Sequence, residues 1–285
     1  MPIGQPPSLQ PACAIERIDA VRCARNPLIT AAMSPTIGDN INGPSVIRVP
    51  DWVDQPLGRY YLYFAHHGGD HIRLAYADAL DGPWTIYAPG TLQLAQARGF
   101  QEHIASPDVH ADHERREFRM YFHGPVGGPS QRSEVAISRD GLTFVPRETQ
   151  LGSFYFRVFQ WNGAYYAISK ADNSGWGELA HSPDGLAPFT EARPFIRNAR
   201  HTAVLQHGRH LIVWYSRVGD APERILACTV DLAGPWTEWR DSQPIEVVQP
   251  EADYEGAGYA NEPSRFGAAT HVRQLRDPAI FAEDG

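Results

Sequence analysis

An all-β, five-bladed β-propeller is the fold class that this sequence predicts, and three observations predict it. Four stretches share one plan of apolar strand, polar turn and aromatic-rich strand: PSVIRVPDWVDQPLGRYYLYFAHH from Pro44, HIASPDVHADHERREFRMYFHG from His103, YFRVFQWNGAYYAISK from Tyr155 and HTAVLQHGRHLIVWYS from His201. Each is followed by an apolar strand, a turn and an aromatic: LAYADALDGPW from Leu74, VAISRDGLTF from Val135, LAHSPDGLAPF from Leu179 and ACTVDLAGPW from Ala227. An Asp-Gly pair between apolar runs is a strong hairpin signal. The two elements alternate in the same order at a period of roughly 45–75 residues, which suits propeller blades carrying loop insertions better than a β-sandwich.

Taken in order, Met1–Gln10 is Pro-rich and reads as a loose tail, and Cys13–Ala24 has short apolar stretches fit for an outer strand. Asn26–Pro44 is a turn-rich approach to blade one, which runs to Leu94. Blade two spans His103–Pro146, blade three Phe154–Phe189 and blade four Arg200–Trp239. Gln249–Gln274 is a long approach loop, and a loop of that length is usually functional or disordered. RDPAIFAEDG, from Arg276, opens a fifth unit that stops after one inner strand. The last blade is therefore expected to be incomplete, with residues 1–25 helping to close it and its open edge favouring a homo-oligomer. No linker or low-complexity run interrupts the chain, so residues 1–285 read as one propeller domain.

Composition narrows the function classes. With 42% hydrophobic and 11% aromatic residues the chain can bury a large core, and a net charge of -8 argues against a nucleic-acid partner gripped by its phosphates. No run is long enough to span a membrane and the start lacks a signal-peptide pattern, so a cytoplasmic location is expected. Cys13, Cys23 and Cys228 have no metal spacing and read as free thiols.

Propeller geometry selects the chemistry. The starts of the inner strands and the loops joining second to third strands meet at one mouth. The strand starts carry Asn42, Asp108, Arg157, His201 and Asp277, the last preceded by Arg276. The loops carry His66, His67, Asp70, His123, Lys170, Asp172, Arg217, Asp220, Glu223 and Arg224, and the approach loops add Asp39, Glu102, His103 and Glu255. One polar strand end is an ordinary turn cap; polar groups from every blade at one mouth point to a pocket.

SPDV at Ser106–Val109 resembles the blade-two signature of the five-bladed glycosidases of glycoside hydrolase family 43, where the Asp tunes the pKa of the general acid. GPSVIRV followed by GRYYLYFA is similar to their first blade, which begins with an Asp-Pro pair whose Asp is the general base; here Gly43 stands in its place. RHTAVL at Arg200–Leu205 resembles the strand with a central His that orients a metal or water, and RDPAIFAEDG looks like the Asp-Pro strand displaced to the chain end. The wider run from SPTIGDNINGPS through YEGA to LRDPAIF is similar to a bacterial group of family-43-like glycosidases.

The resemblance implies an exo-acting glycoside hydrolase on a terminal sugar. Such chemistry needs an acid with a raised pKa and a base or nucleophile, about 6.5–9.5 Å apart when the outcome is inversion. The carboxylates are Asp39, Asp108, Glu255 and Asp277. Asp108 is expected to hold the acid's pKa, Glu255 in YEGAG to be the acid, and Asp39 or Asp277 the base. Asn42, His66, His67, His103, His123, Arg157, His201, Glu223 and Arg276 are expected to bind substrate. Alternation puts His110 on the face of Asp108. No metal ligand set is assigned and no cofactor is required, although the channel has room for an ion such as calcium. Trp161, Trp176 and Trp214 would stack on sugar or fill the core. The alternatives are a non-catalytic carbohydrate-binding propeller, which Gly43 favours, a polysaccharide lyase with a His or Tyr base, and a protein-interaction propeller.

Overall fold

The computed structural model describes residues 15–128, 130–171, 175–267 and 271–283. Among them, four antiparallel sheets of four strands form, each running in sequence order from an inner to an outer strand. Blade one is β1 (Ile41–Arg48), β2 (Tyr60–His66), β3 (His71–Ala77) and β4 (Thr85–Gln93). Blade two is β5 (Ala105–Asp112), β6 (Glu117–Pro125), β7 (Gln131–Ser138) and β8 (Val145–Pro146). Blade three is β9 (Phe154–Trp161), β10 (Ala164–Lys170), β11 (Trp176–Ser182) and β12 (Thr190–Arg197). Blade four is β13 (Ala199–His207), β14 (His210–Arg217), β15 (Ile225–Asp231) and β16 (Ile245–Val248). No helix among the described residues is long and apolar enough to cross a membrane.

The aromatic-rich strands bury both faces because apolar side chains fill the seams between consecutive blades. Ile47, Tyr63 and Leu74 of blade one share a core with Val109, Met120 and Phe122 of blade two. Tyr121 and Val135 meet Phe156 and Val158, and Ile168 and Leu179 meet Val213 and Tyr215. The Asp-Gly turns lock these seams. Tyr63 Oη donates to the Gly141 carbonyl of the next blade (2.8 Å), and Tyr121 Oη to that of Gly185 (3.1 Å). A Cβ at either glycine would stand 2.8 or 2.7 Å from that phenol oxygen, so the turn glycine makes room for the neighbouring blade as well as for its own positive φ.

Among the described residues the ring has four blades, which corrects the expectation of five. RDPAIF forms no strand: Leu275 to Glu283 runs as coil. A lone extended segment finds no second strand to pair with, and Pro278 offers no donor to a ladder. Residues 15–23 also form no strand, although they pack where the sequence placed them. The Ile15 amide donates to Thr229 Oγ1 (3.3 Å), and Ile18 lies in one apolar cluster with Ile245, Val248 and Leu275. The C-terminal segment continues to blade one, where Phe281 meets Tyr60 edge-on and Glu283 accepts hydrogen bonds from Tyr60 Oη and Arg48 Nη1. Strand contacts join blades one to two, two to three and three to four. Coil from both ends of the chain seals the seam between blades four and one. Cys13, Asp172 and the last two residues lie outside the described residues; Cys23 and Cys228 are free.

Candidate functional site

Each inner strand is bulged where it reaches the mouth. The register shifts between Asn42 and Ser45, between Ala105 and Asp108, opposite Ile168 and Lys170, and between Ala199 and Thr202. The displaced pairs are Gly43-Pro44, Ser106-Pro107, Tyr155-Phe156 and Arg200-His201. Gly43, Ser106 and Tyr155 take φ of +57°, +49° and +59°. A bulge re-aims its side chain, and here it turns one strand residue per blade toward the axis. Asp277-Pro278 repeats the conformation on the C-terminal coil, with φ of +53° at Asp277. RDPAIF therefore resembles the inner strands in its local bend and lacks only the sheet.

Pro44, Ser106, Tyr155, His201 and Asp277 line a cleft of ≈ 1280 Å³. Of the residues nominated from sequence, Asp39, Asn42, His67, His103, His123, His201, Glu255, Arg276 and Asp277 line it. His66, Asp108, Arg157 and Glu223 lie behind it.

Asp277 is the best-placed carboxylate. Its side chain is 16% exposed, its Oδ2 accepts the Gly43 amide (3.1 Å), and its other oxygen meets His201 Nδ1. Burial by itself pushes this carboxyl up. The charge and hydrogen bond of His201, the Gly43 N–H and Arg276 outweigh it and bring the pKa down to about 2. The acidic group absent at Gly43 thus arrives there from the other end of the chain. Residue 43 could not have carried it, because a Cβ would lie 2.8 Å from Ser106 Cα at a φ that favours glycine.

An aromatic row extends from this pair. Tyr155 stands edge-on between His201 (centroids 4.5 Å) and His123 (4.4 Å). Burial, reinforced by His103, His201 and Arg157, holds His123 well below the usual imidazole range, so it is neutral. Burial and the neighbouring His67 lower His103, whose ring stacks with His67 at 6.5 Å. Burial raises the Tyr155 phenol. On the blade-four side, Arg200 forms a two-pronged pair with the fully buried Glu223 (2.7 and 3.0 Å), Ser216 Oγ donates to the same carboxylate (2.7 Å), and Arg276 Nε lies 3.5 Å away. Lys170 enters the cleft from the end of β10, 4% exposed. Burial, helped by Arg200 and opposed by Glu223, brings its ammonium down to about 8.

Four nominated residues serve the walls. Asp108 is buried and accepts from Val158 N (2.8 Å) across the blade seam and pairs with His110 Nε2 (2.9 Å), so the shared strand face holds while the carboxylate points away from the cleft. Arg157 donates to the carbonyls of Thr202, Ser106 and Pro107, stitching three inner strands. His66 Nδ1 accepts the Asn40 amide and supports the Asp39 turn. Glu223 is the counter-ion just described. Glu255 lines the cleft but is clasped by Arg22 Nε (2.8 Å) and by the amides of Glu251 and Ala252. Burial raises its carboxyl, and those donors bring it down to about 2, the opposite of what a general acid requires. Asp39, 95% exposed, sits on the rim.

Sequence reasoning passed over Tyr155 and Arg200 as site residues. Tyr155 is one aromatic among several in YFRVF, and only the bulge singles it out. Trp161 and Trp214 pack in apolar clusters, and Trp176 is exposed away from the cleft. Among the described residues, no three His, Cys, Asp or Glu side chains are grouped to hold a metal ion.

No family model matches the chain. In fold it is similar to a thermostable family-43 glycoside hydrolase (TM-score 0.58, 15% identity, 78% of this chain and 77% of that one). It is likewise similar to a family-43 β-xylosidase/α-arabinofuranosidase from a compost metagenome (0.56, 15%, 73% and 79%) and to an α-L-arabinofuranosidase from Lactobacillus brevis (0.52, 16%, 77% and 75%). The class is thus a β-propeller similar in fold to family-43 glycosidases, with a polar cleft at the mouth. An uncharacterized protein of Acanthamoeba polyphaga mimivirus is 35% identical over 96% of this chain and 86% of its own length, and the chain belongs to that protein's family. That relative is viral, so nothing ties the group to bacteria.

Proposed function

We propose that the chain is a glycoside hydrolase acting on a terminal sugar bound in the cleft, with Asp277 as general base. The observation that carries the reading is Asp277 itself, an ionised carboxylate held on the wall by His201 and by the amide of Gly43, where blade one of the resembled enzymes has its base. A base has to be ionised at working pH, and a carboxyl near 2 is. Asp39, on the rim of the same cleft, is the candidate for the general acid. The likeness in fold to xylosidases and arabinofuranosidases supports pentosides among the first substrates to try. The test is a screen of aryl glycosides and oligosaccharides with detection of the product anomer. Asp277→Asn should lower turnover at least ~100-fold, the usual weight of a general base, with the fold intact. Folded wild-type protein that cleaves none of them refutes the reading; sugar binding without cleavage would leave a lectin-like propeller.

A second reading has its own observation. Glu255 and Asp277 both titrate low, while Tyr155 and His201 stand together in the cleft. In a lyase His201 would take the proton beside a uronate carboxylate, and Tyr155, kept protonated by burial, would give one to the leaving oxygen. Ultraviolet absorbance of an unsaturated product from a uronate polysaccharide would favour it over hydrolysis.

A further inference from the structure

One buried cation of the cleft has no acidic partner among the described residues. Lys170, Arg200 and Arg276 all line it. One carboxylate serves them, Glu223, which is fully buried and shared by both arginines and Ser216. Lys170 reaches no carboxylate among the described residues. Its ammonium donates to the Ala199 carbonyl (3.1 Å) and lies over the Phe266 ring (4.7 Å). Asp277 is engaged by His201 and Gly43, and Arg276 spends its other donors on the carbonyls of Gly267 and Arg265. Of the other carboxylates on the cleft wall, Glu255 is clasped by Arg22 and Asp39 lies on the exposed rim, so Lys170 is the cleft cation without an acidic partner among the described residues. A buried charge left unpaired is costly, and a ligand that supplies the missing negative charge is favoured by that amount.

We propose that the cleft selects a sugar carrying a single negative charge, a carboxylate or a sulfate ester, seated on Lys170 beside Arg276. The inference rests on the reading of the cleft as a sugar site and adds the class of sugar. One negative charge gives the Lys170 ammonium the partner it lacks. Phe266 supplies an apolar face next to the ammonium, as sugar rings require on one side. The contact is charge-assisted, and such hydrogen bonds are roughly twice as strong as neutral ones.

Titration calorimetry with glucuronate, its methyl ester and glucose 6-sulfate tests this on the whole chain. One acidic sugar should bind at least ~10-fold more tightly than the ester, a difference of about 1.4 kcal/mol. Glucuronate or the sulfate as the tighter ligand assigns the group. In Lys170→Met the preference should disappear, with thermal unfolding confirming the fold. Equal binding of acid and ester by wild type overturns the proposal without recourse to any variant, as does a preference that survives Lys170→Met. Glucuronate binding with no hydrolysis of any glycoside overturns the hydrolase reading alone. Hydrolysis of neutral pentosides with no acid preference overturns this inference alone.

Discussion

Replacing Glu223 by Gln removes the one negative charge that two guanidiniums share beneath the cleft. The carboxylate is 0% exposed and accepts from Arg200 Nε at 2.7 Å, Arg200 Nη2 at 3.0 Å and Ser216 Oγ at 2.7 Å, with Arg276 Nε at 3.5 Å. Glutamine fills the same space, so no cavity enters the account. What changes is that Arg200, with a side chain 4% exposed, and Arg276, 13% exposed, lose their counter-charge in a site that water scarcely reaches. Breaking a buried pair in this way costs about 3–5 kcal/mol. For 285 residues the unfolding entropy is near 0.6 kcal/mol/K, so the melting temperature should fall by roughly 5–8 °C. Urea unfolding with an unchanged m-value would show that the loss belongs to the native state. The double variant Arg200→Met with Glu223→Leu should recover part of the loss, because it removes both charges together. A loss below ~1 kcal/mol for Glu223→Gln, the level of a surface ion pair, would refute the account of Glu223 as a desolvated counter-ion.

Gly43→Ala should destabilise by about 1–3 kcal/mol, since its Cβ meets the Ser106 backbone at positive φ; an unchanged urea midpoint would contradict it. The Asp277 carboxyl is held near 2 in the fold and returns to near 3.9 when unfolded, so its stabilisation, about 2–3 kcal/mol, is complete above about pH 5 and is lost as pH falls through 2. Asp277→Asn should therefore flatten the acid limb of the stability profile, and an unchanged limb would sink the assignment. Arg22→Met should free Glu255 and raise its pKa toward the ordinary carboxylate range, which carboxylate NMR titration would show. An unmoved titration would mean that the amides of Glu251 and Ala252 suffice.

The inner blades were legible because two periodicities agree: alternation writes the strands, and the Asp-Gly pairs write the hairpins. Blade two, read as His103–Pro146, runs from Ala105 to Pro146. The outer strands of blades three and four escaped notice for a physical reason. Thr190–Arg197 carries Pro194 and three charged side chains, as befits an edge that must not pair further, and Ile245–Val248 is only four residues long. The fifth blade was overread because RDPAIF shares the bend of the inner strands without their ladder, and sequence shows the bend alone. At the site, polar residues at strand starts marked the mouth correctly as a region, but whether a side chain faces in or back depends on the bulges. Asp108 lies beyond its bulge and points into the seam, whereas Asp277 lies on its bend and reaches the cleft. Glu255 was misjudged because its partner, Arg22, is 233 positions away in the chain.

The seam between blades four and one behaves as the gap in a split washer. Three joints of the ring are sheets pressed against sheets, and parting any of them would tear apart a continuous core. The fourth is fastened at one end by Leu275 among blade-four side chains and at the other by the grip of Tyr60 and Arg48 on Glu283, with Asp277 strung between. With the N-terminal coil, in which Arg22 grips Glu255 and Arg25 the Gly82 carbonyl, this joint is made of side-chain and coil contacts and of no strand ladder between blades. Asp277 sits on this fastening, so the segment that joins blades four and one is also the one that carries a carboxylate to the cleft wall.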